Sequence, residues 1–263
     1  MAGDQGIMFG YACDETISFM PLSIQLANNL ARRLSEVRKE NENSILLPDG
    51  KTQVTVEYID GKISRVDTII IACQHKSNAK YEEIYNLIKK EVIDFVVPID
   101  LIDSNTKILI NTSGSFVVGG SFGDSGTTGR KIVCDTYGGV GKVGGGCFSS
   151  KDPSKVDRSG AYYARYVAKN IVYNKLASKC EIEVSYAIGM EYPISININT
   201  FGTNKVSMEY IYDFVDKYFD FSVDNIIKEL DLLRPIYYDL ASYGHFGRED
   251  LNLTWENIKN LIK

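Results

Sequence analysis

Two glycine-rich segments carry the side chains best suited to chemistry. Gly144–Ser159 reads GGGCFSSKDPSKVDRS and sets Lys151, Lys155 and Arg158 among Asp152 and Asp157. Cations hold phosphate oxygens directly, and a carboxylate such as Asp157 can hold Mg2+, which commonly bridges one or two carboxylates to phosphates. Glycines let backbone N–H groups approach an anion closely. The same residues also suit a solvated charge run before a helix, with Asp157 as its N-cap. Upstream, Gly119–Lys131 reads GGSFGDSGTTGRK. Arg130 offers a planar fork to phosphate oxygens and Lys131 a point charge. Asp124 would repel phosphate and fits a metal or a substrate ammonium group. Together the two segments point to a nucleotide's phosphate chain.

Other groups are less telling. Pro48-Asp49-Gly50-Lys51 reads first as a turn. Asp4 stands between glycines at the start of the sequence, where fraying is the ordinary expectation. Gly139–Gly144 matches G-x-G-x-x-G but leads into more glycines instead of a helix, which excludes a dinucleotide fold. A Walker A loop is absent. His75 and His245, the two histidines, have no Ser or Cys partner at a triad spacing and read as structural hydrogen-bonding residues. His245 lies in the glycine turn Tyr243–Arg248 and keeps a modest functional claim.

These groups need elements to hold them. Leu22, Leu26, Leu30, Leu34 and Val37 have helical spacing over 19–39, with Pro21 near the start. Thr52–Ile59 and Lys62–Cys73, joined by Asp60-Gly61, predict a hairpin. Tyr81–Val92 reads as a helix, and Lys107–Ile110 and Ser115–Val118 as short strands. Lys131–Asp135 reads as a strand between glycines. A helix with a small apolar face follows Asp157, with Ala161, Ala164, Val167, Ala168 and Ile171 on that face. Strands at Glu181–Ile188 and Ile194–Asn199, helices near 207–219 and 222–232 and a last element at Trp255–Ile262 complete the pattern. Hairpins without regular βαβ units predict an α+β class. A composition change near Gly119 divides the chain into 1–118 and 119–263.

The 263 residues suffice for one or two cored domains. A net charge of −5 argues against a general nucleic-acid binder. Five scattered cysteines without a C-x-x-C pair fit neither a disulfide framework nor a zinc knuckle, and suit a reducing cytoplasm. No signal peptide is recognisable, and no apolar run approaches the roughly 20 residues of a membrane span.

In order along the chain, GDQGIMFGY (Gly3–Tyr11), PDGKTQV (Pro48–Val54), GDSGTTGRK (Gly123–Lys131), DTYGG (Asp135–Gly139), GGGCFSSKDPSKVDRS, SYAIG (Ser185–Gly189) and YGHFGR (Tyr243–Arg248) resemble methionine adenosyltransferase, the S-adenosylmethionine synthetase family. The resemblance covers the family's central domain over 1–118 and its C-terminal domain over 119–263. It implies α+β domains, each a β-sheet with helices packed on one face. It also implies an enzyme that joins ATP to L-methionine, giving S-adenosylmethionine, and then hydrolyses the tripolyphosphate.

By the same resemblance, Lys51, Arg130, Lys131, Lys151 and Lys155 form the polyphosphate set and Asp157 is a Mg2+ ligand. Phe116 stacks on adenine, Asp49 contacts the nucleoside, and Asp4 and Asp124 are methionine-side carboxylates. Cys147 and Ser150 stand where the family usually has Ala and Gly. K+ assists, and active sites lie between subunits of an oligomer. The family's N-terminal domain, with its Gly-His-Pro-Asp-Lys motif, has no counterpart in this sequence. The expectation is a split enzyme in which a separate chain carries that domain, the chain alone turning over little. The alternatives are a non-catalytic regulatory subunit of a full-length enzyme and a truncated fragment.

Overall fold

Hydrophobic periodicity builds two α+β units, each around its own three-stranded sheet. A computed structural model describes residues 1–261 of the chain. One unit is Leu22–Thr127, and the other combines Met1–Pro21 with the chain from Thr128 onward.

The Leu22–Thr127 unit starts with helix α1 (Leu22–Glu40), followed by strands β2 (Leu46–Ile59) and β3 (Lys62–His75). Asp60 and Gly61 both have positive φ, 51° and 75°, as a two-residue turn between right-twisted strands requires. Helix α2 (Tyr81–Ile88) runs on through a π turn at Lys89–Ile93 and carries the chain across to β4 (Lys107–Ile110), which lies parallel to β3. Leu26, Leu30 and Leu34 of α1 share a core with Ile69 and Ile71 of β3 and with Ile84 and Ile88 of α2. Removing each such side chain from water contributes about 1.5–3 kcal/mol.

The other unit orders its strands β1-β5-β6, all antiparallel: β1 (Gly6–Cys13), β5 (Lys179–Tyr186) and β6 (Ser195–Asn199). Helix α3 (Val156–Tyr173) packs on β1 and β5. Its small residues admit a close approach: a Cβ on Gly10 of β1 would lie 2.0 Å from the Ala164 backbone. Arg165, fully buried in α3, donates to the carbonyls of Tyr11, Ser18 and Phe19 and pairs with Glu256, so it ties the start of the chain to its end. Helices α4 (Met208–Tyr218) and α5 (Val223–Glu229) follow. Ser207 caps α4 by accepting from the Tyr210 N–H.

Several local expectations are corrected. β1 was missed; Gly6 and Gly10 interrupt its alternation, and its second half is buried on both faces. Lys131–Asp135 is no strand: Ile132–Asp135 forms one helical turn, closed by the Asp135 N–H on the Lys131 carbonyl. Ser115–Val118 is irregular, joined to the hairpin through His75 and through the Gln74 side chain, which donates to the Val117 carbonyl at 3.0 Å. Pro48–Lys51 lies inside β2 at a break in register between Leu46 and Gly50, where a proline's missing N–H is tolerated. The last element is a short turn at Thr254–Glu256 followed by irregular chain, and Ile262 lies outside the described residues.

Candidate functional site

In the unit built on β1-β5-β6, the start of α3 gathers several of the predicted charges. Lys155 is the N-cap residue, and Asp157 sits one step inside the first turn instead of capping it. There its carboxylate faces the positive end of the helix dipole. Lys151 Nζ lies 3.3 Å from Asp157 Oδ2 and donates to the Cys147 carbonyl at 2.9 Å. Gly146 makes room for this pair, since a Cβ there would come within 2.1 Å of the Asp157 carboxyl. The Gly3 N–H donates to the Ser154 carbonyl at 2.9 Å, and the Asp4 charge acts on Asp157. Asp4 thus shares the corner of the expected metal ligand.

Burial pushes the Asp157 carboxyl up from its ordinary range; Lys151 counteracts this and Asp4 adds to it. Two neighbouring carboxylates, one half-desolvated, form a pair that a divalent cation would stabilise. Among the described residues no three His, Cys, Asp or Glu side chains gather into a metal cage. Mg2+ needs none, because it commonly takes one or two carboxylates and completes its shell with water and phosphate oxygens. The chemistry of the Asp157 carboxylate therefore suits Mg2+.

Lys155 pairs with Asp152 at 2.7 Å. The Lys155 ammonium, with Ser154, holds the Asp152 carboxyl well below the usual range. Arg130 and Lys131 are exposed, and neither forms an ion pair among the described residues. Their segment lies against the same loop: Thr128 Oγ1 and Ser149 Oγ are 3.3 Å apart, and a Cβ on Gly129 would touch Cys147. Ser150 adopts φ 65°, a left-handed conformation that glycine takes at lower cost.

The Leu22–Thr127 unit places the other predicted residues around a cleft of about 490 Å³ lined by Asp49, Lys51, Phe116, Val118 and Asp124. Asp49 and Lys51 project from the irregular start of β2. Asp49 Oδ2 accepts the Gly120 N–H at 2.6 Å and so pins the glycine segment. Lys51 is exposed and without an ion-pair partner among the described residues. Phe116 is held by His75, whose backbone N–H donates to the Phe116 carbonyl while its Nε2 accepts the Phe116 N–H at 3.0 Å. Nδ1 meets the Lys76 carbonyl at 2.9 Å, so it carries the proton and the tautomer follows from the partners. An aromatic ring, a cation and carboxylates around one cleft suit a heteroaromatic base with a charged substituent.

Sequence reasoning gave His75 no task beyond a structural hydrogen bond; its link to Phe116 spans 41 residues and leaves no local pattern. Arg158 was read among the cations suited to phosphate and His245 as a structural hydrogen-bonding residue with a modest functional claim, while Tyr162, which joins them, carries no signal of its own.

Residues 1–116 match the family model for the S-adenosylmethionine synthetase central domain, and residues 118–257 match that for the S-adenosylmethionine synthetase C-terminal domain. The matches meet where the glycine segment begins, so each glycine-rich phosphate candidate falls within the C-terminal model, while Asp4, Asp49 and Lys51 fall within the central one. Covered from Met1 to Asn257 by these two models, the chain belongs to the S-adenosylmethionine synthetase family.

Proposed function

We propose that this chain forms the nucleotide- and polyphosphate-binding part of a methionine adenosyltransferase, which joins ATP and L-methionine and then hydrolyses tripolyphosphate, with the family's N-terminal domain supplied by a separate chain. One observation carries the proposal: Lys51, Arg130 and Lys131 have no carboxylate partners among the described residues, and Lys151 stands on a glycine loop beside two crowded acids. Such charges are stabilised by a polyanion that arrives with a divalent cation.

The chemistry suits these residues. A methionine sulfur is a neutral nucleophile and needs no base. The barrier lies in negative charge growing on the departing tripolyphosphate, which Lys51, Arg130, Lys131, Lys151 and Lys155 would stabilise. Mg2+ held by Asp157 would supply further charge neutralisation to the phosphate oxygens, and Asp4 would stand on the methionine side. Phe116 would stack on adenine and Asp49 contact the nucleoside, while Asp124 would hold the methionine ammonium group. Both histidines are committed elsewhere: His75 holds Phe116, and His245 is buried against Tyr162 with its pKa lowered to about 3. This supports the expectation that the histidine of the family's Gly-His-Pro-Asp-Lys motif comes from a separate chain.

The test mixes the chain with a chain carrying the family's N-terminal domain, ATP, L-methionine, Mg2+ and K+, and follows S-adenosylmethionine by mass spectrometry. The expected result is turnover in the mixture, little from either chain alone, and its loss with Arg130→Ala. No product in the mixture, with both chains folded, defeats the proposal. Turnover of a full-length enzyme that changes on adding the chain but ignores Arg130→Ala would make it a regulatory subunit instead.

A further inference from the structure

Arg158 is a buried cation without an anion. It is 5% exposed and forms no ion pair with a carboxylate among the described residues. Burying an uncompensated charge is unfavourable, and a neutral side chain of similar size would pack there at lower cost. Its contacts show where the charge is directed. Nη1 donates to the Lys151 backbone carbonyl at 2.7 Å, Nε donates to Tyr162 Oη at 3.2 Å, and the guanidinium lies 4.4 Å from the Tyr237 ring centre.

The donors fix the polarity of the chain of hydrogen bonds behind it. A guanidinium only donates, so the Tyr162 oxygen accepts from it, and the arrangement that also places the Tyr162 proton gives it to His245 Nδ1, 2.7 Å away. His245 must then be neutral, with its proton on Nε2. The ring is locked by Phe148, 4.8 Å away, and Trp255 stacks on Tyr162 at 4.0 Å while its indole N–H donates to the His245 carbonyl. Phe148 belongs to the same loop as Lys151, so the network grips that loop at two points three residues apart.

Between those points Ser150 is in the left-handed conformation, the place where this loop would relax if released. We propose that Arg158 is a positioning residue for the lysine that meets polyphosphate: backed by Tyr162 and His245, it holds the Lys151 carbonyl so that the Lys151 ammonium stays beside Asp157. The proposal rests on the polyphosphate reading of this loop. It adds a role for the two residues that reading left idle, and it explains a charge that packing alone does not require. The planar fork aims two separate N–H groups, Nη1 at the carbonyl and Nε at the phenol oxygen, a fixed geometry that a lysine's single ammonium does not reproduce.

A double-mutant cycle on Mg2+–tripolyphosphate binding, read by calorimetry on the full chain, tests it. Arg158→Lys keeps the charge and breaks the fork. It should weaken binding about tenfold in the wild-type background and less than about twofold when Lys151→Met has already removed the ammonium. Equal losses in the two backgrounds, or no loss in the first, overturn the positioning role while leaving the polyphosphate reading intact. A wild-type chain that binds no Mg2+–tripolyphosphate overturns both. Should Arg158→Lys disturb folding, seen as a changed Trp255 emission, Tyr162→Phe repeats the cycle with only a hydroxyl removed. Its expected loss is about threefold, again only where Lys151 is present, and additive losses refute it equally.

Discussion

The burial of His245 makes this protein acid-sensitive by a calculable amount. Its imidazole is desolvated first of all, and the charges of Arg158 and Arg248 add to the effect, lowering its pKa from 6.5 to about 3. Tyr162 faces it with a hydroxyl proton, and Asp135 contributes only its carbonyl, to the His245 N–H. In the unfolded chain the ring titrates at its ordinary value. Between the two pKa values the unfolded state therefore binds more protons, so stability rises with pH across that window and falls as the pH drops through it. Moving from about pH 7.5 to about pH 5 leaves the unfolded ring some one and a half units below its midpoint, a loss of about 2 kcal/mol from this one group.

Trp255, the single tryptophan, stacks on Tyr162 and reports on this unit without labelling. Urea unfolding followed by its fluorescence at the two pH values measures the loss. His245→Asn keeps an acceptor for the Tyr162 hydroxyl but cannot titrate. Carboxylates and the other histidine contribute alike to both proteins, so the difference isolates His245. The variant should lose about 2 kcal/mol less than the wild type between the two pH values. Equal losses would show that the ring is already hydrated or charged in the fold, and the hydrogen-bond polarity assigned to Arg158, Tyr162 and His245 would be wrong.

Further outcomes follow from the same coordinates. Gly146→Ala drives a methyl group into the Asp157 carboxyl and should reduce Mg2+–tripolyphosphate affinity by about tenfold, measured by calorimetry, because the carboxylate must leave its place beside Lys151. Ser150→Gly removes left-handed strain worth about 1 kcal/mol but loosens the unfolded chain by a similar amount, so its melting temperature should stay within a few degrees of wild type. Glu256→Gln strips the anion from buried Arg165 and Lys169 and should cost about 3–5 kcal/mol in urea unfolding.

What the sequence disclosed depended on how local each cause was. The helix at Leu22–Glu40 and the hairpin at Asp60-Gly61 follow from periodicity and a turn that needs positive φ at both central residues, so both were legible. β1 was not, because glycine at position 10 answers to a helix 154 residues later, not to its neighbours. Lys131–Asp135 carries a β-branched pair yet Ile132–Asp135 forms a helical turn, since no strand of either sheet pairs with it among the described residues. The charged loop residues were visible as charges between glycines. The tasks of His75, Tyr162 and Arg158 were hidden because each is defined by a partner or by a missing partner, and neither can be read from spacing.

Asp157→Asn turns these charges into a statement about design. The Asp157 carboxyl is raised by burial and by Asp4, so in the ion-free protein its ionisation opposes folding. With a folded pKa above the unfolded one, its contribution to stability is full at low pH and fades as pH rises through the carboxylate range. The asparagine variant should therefore be slightly more stable than wild type at neutral pH without Mg2+, and should gain less from adding it. Thermal unfolding with and without Mg2+ and tripolyphosphate measures both effects. A carboxylate kept for structure would give the opposite pattern, with destabilisation on substitution and no dependence on the ions. The crowded Asp157–Asp4 corner and the unpaired Arg130 and Lys131 are charges that the described residues of this unit leave unsatisfied, and the proposed metal–polyphosphate ligand would carry their complements.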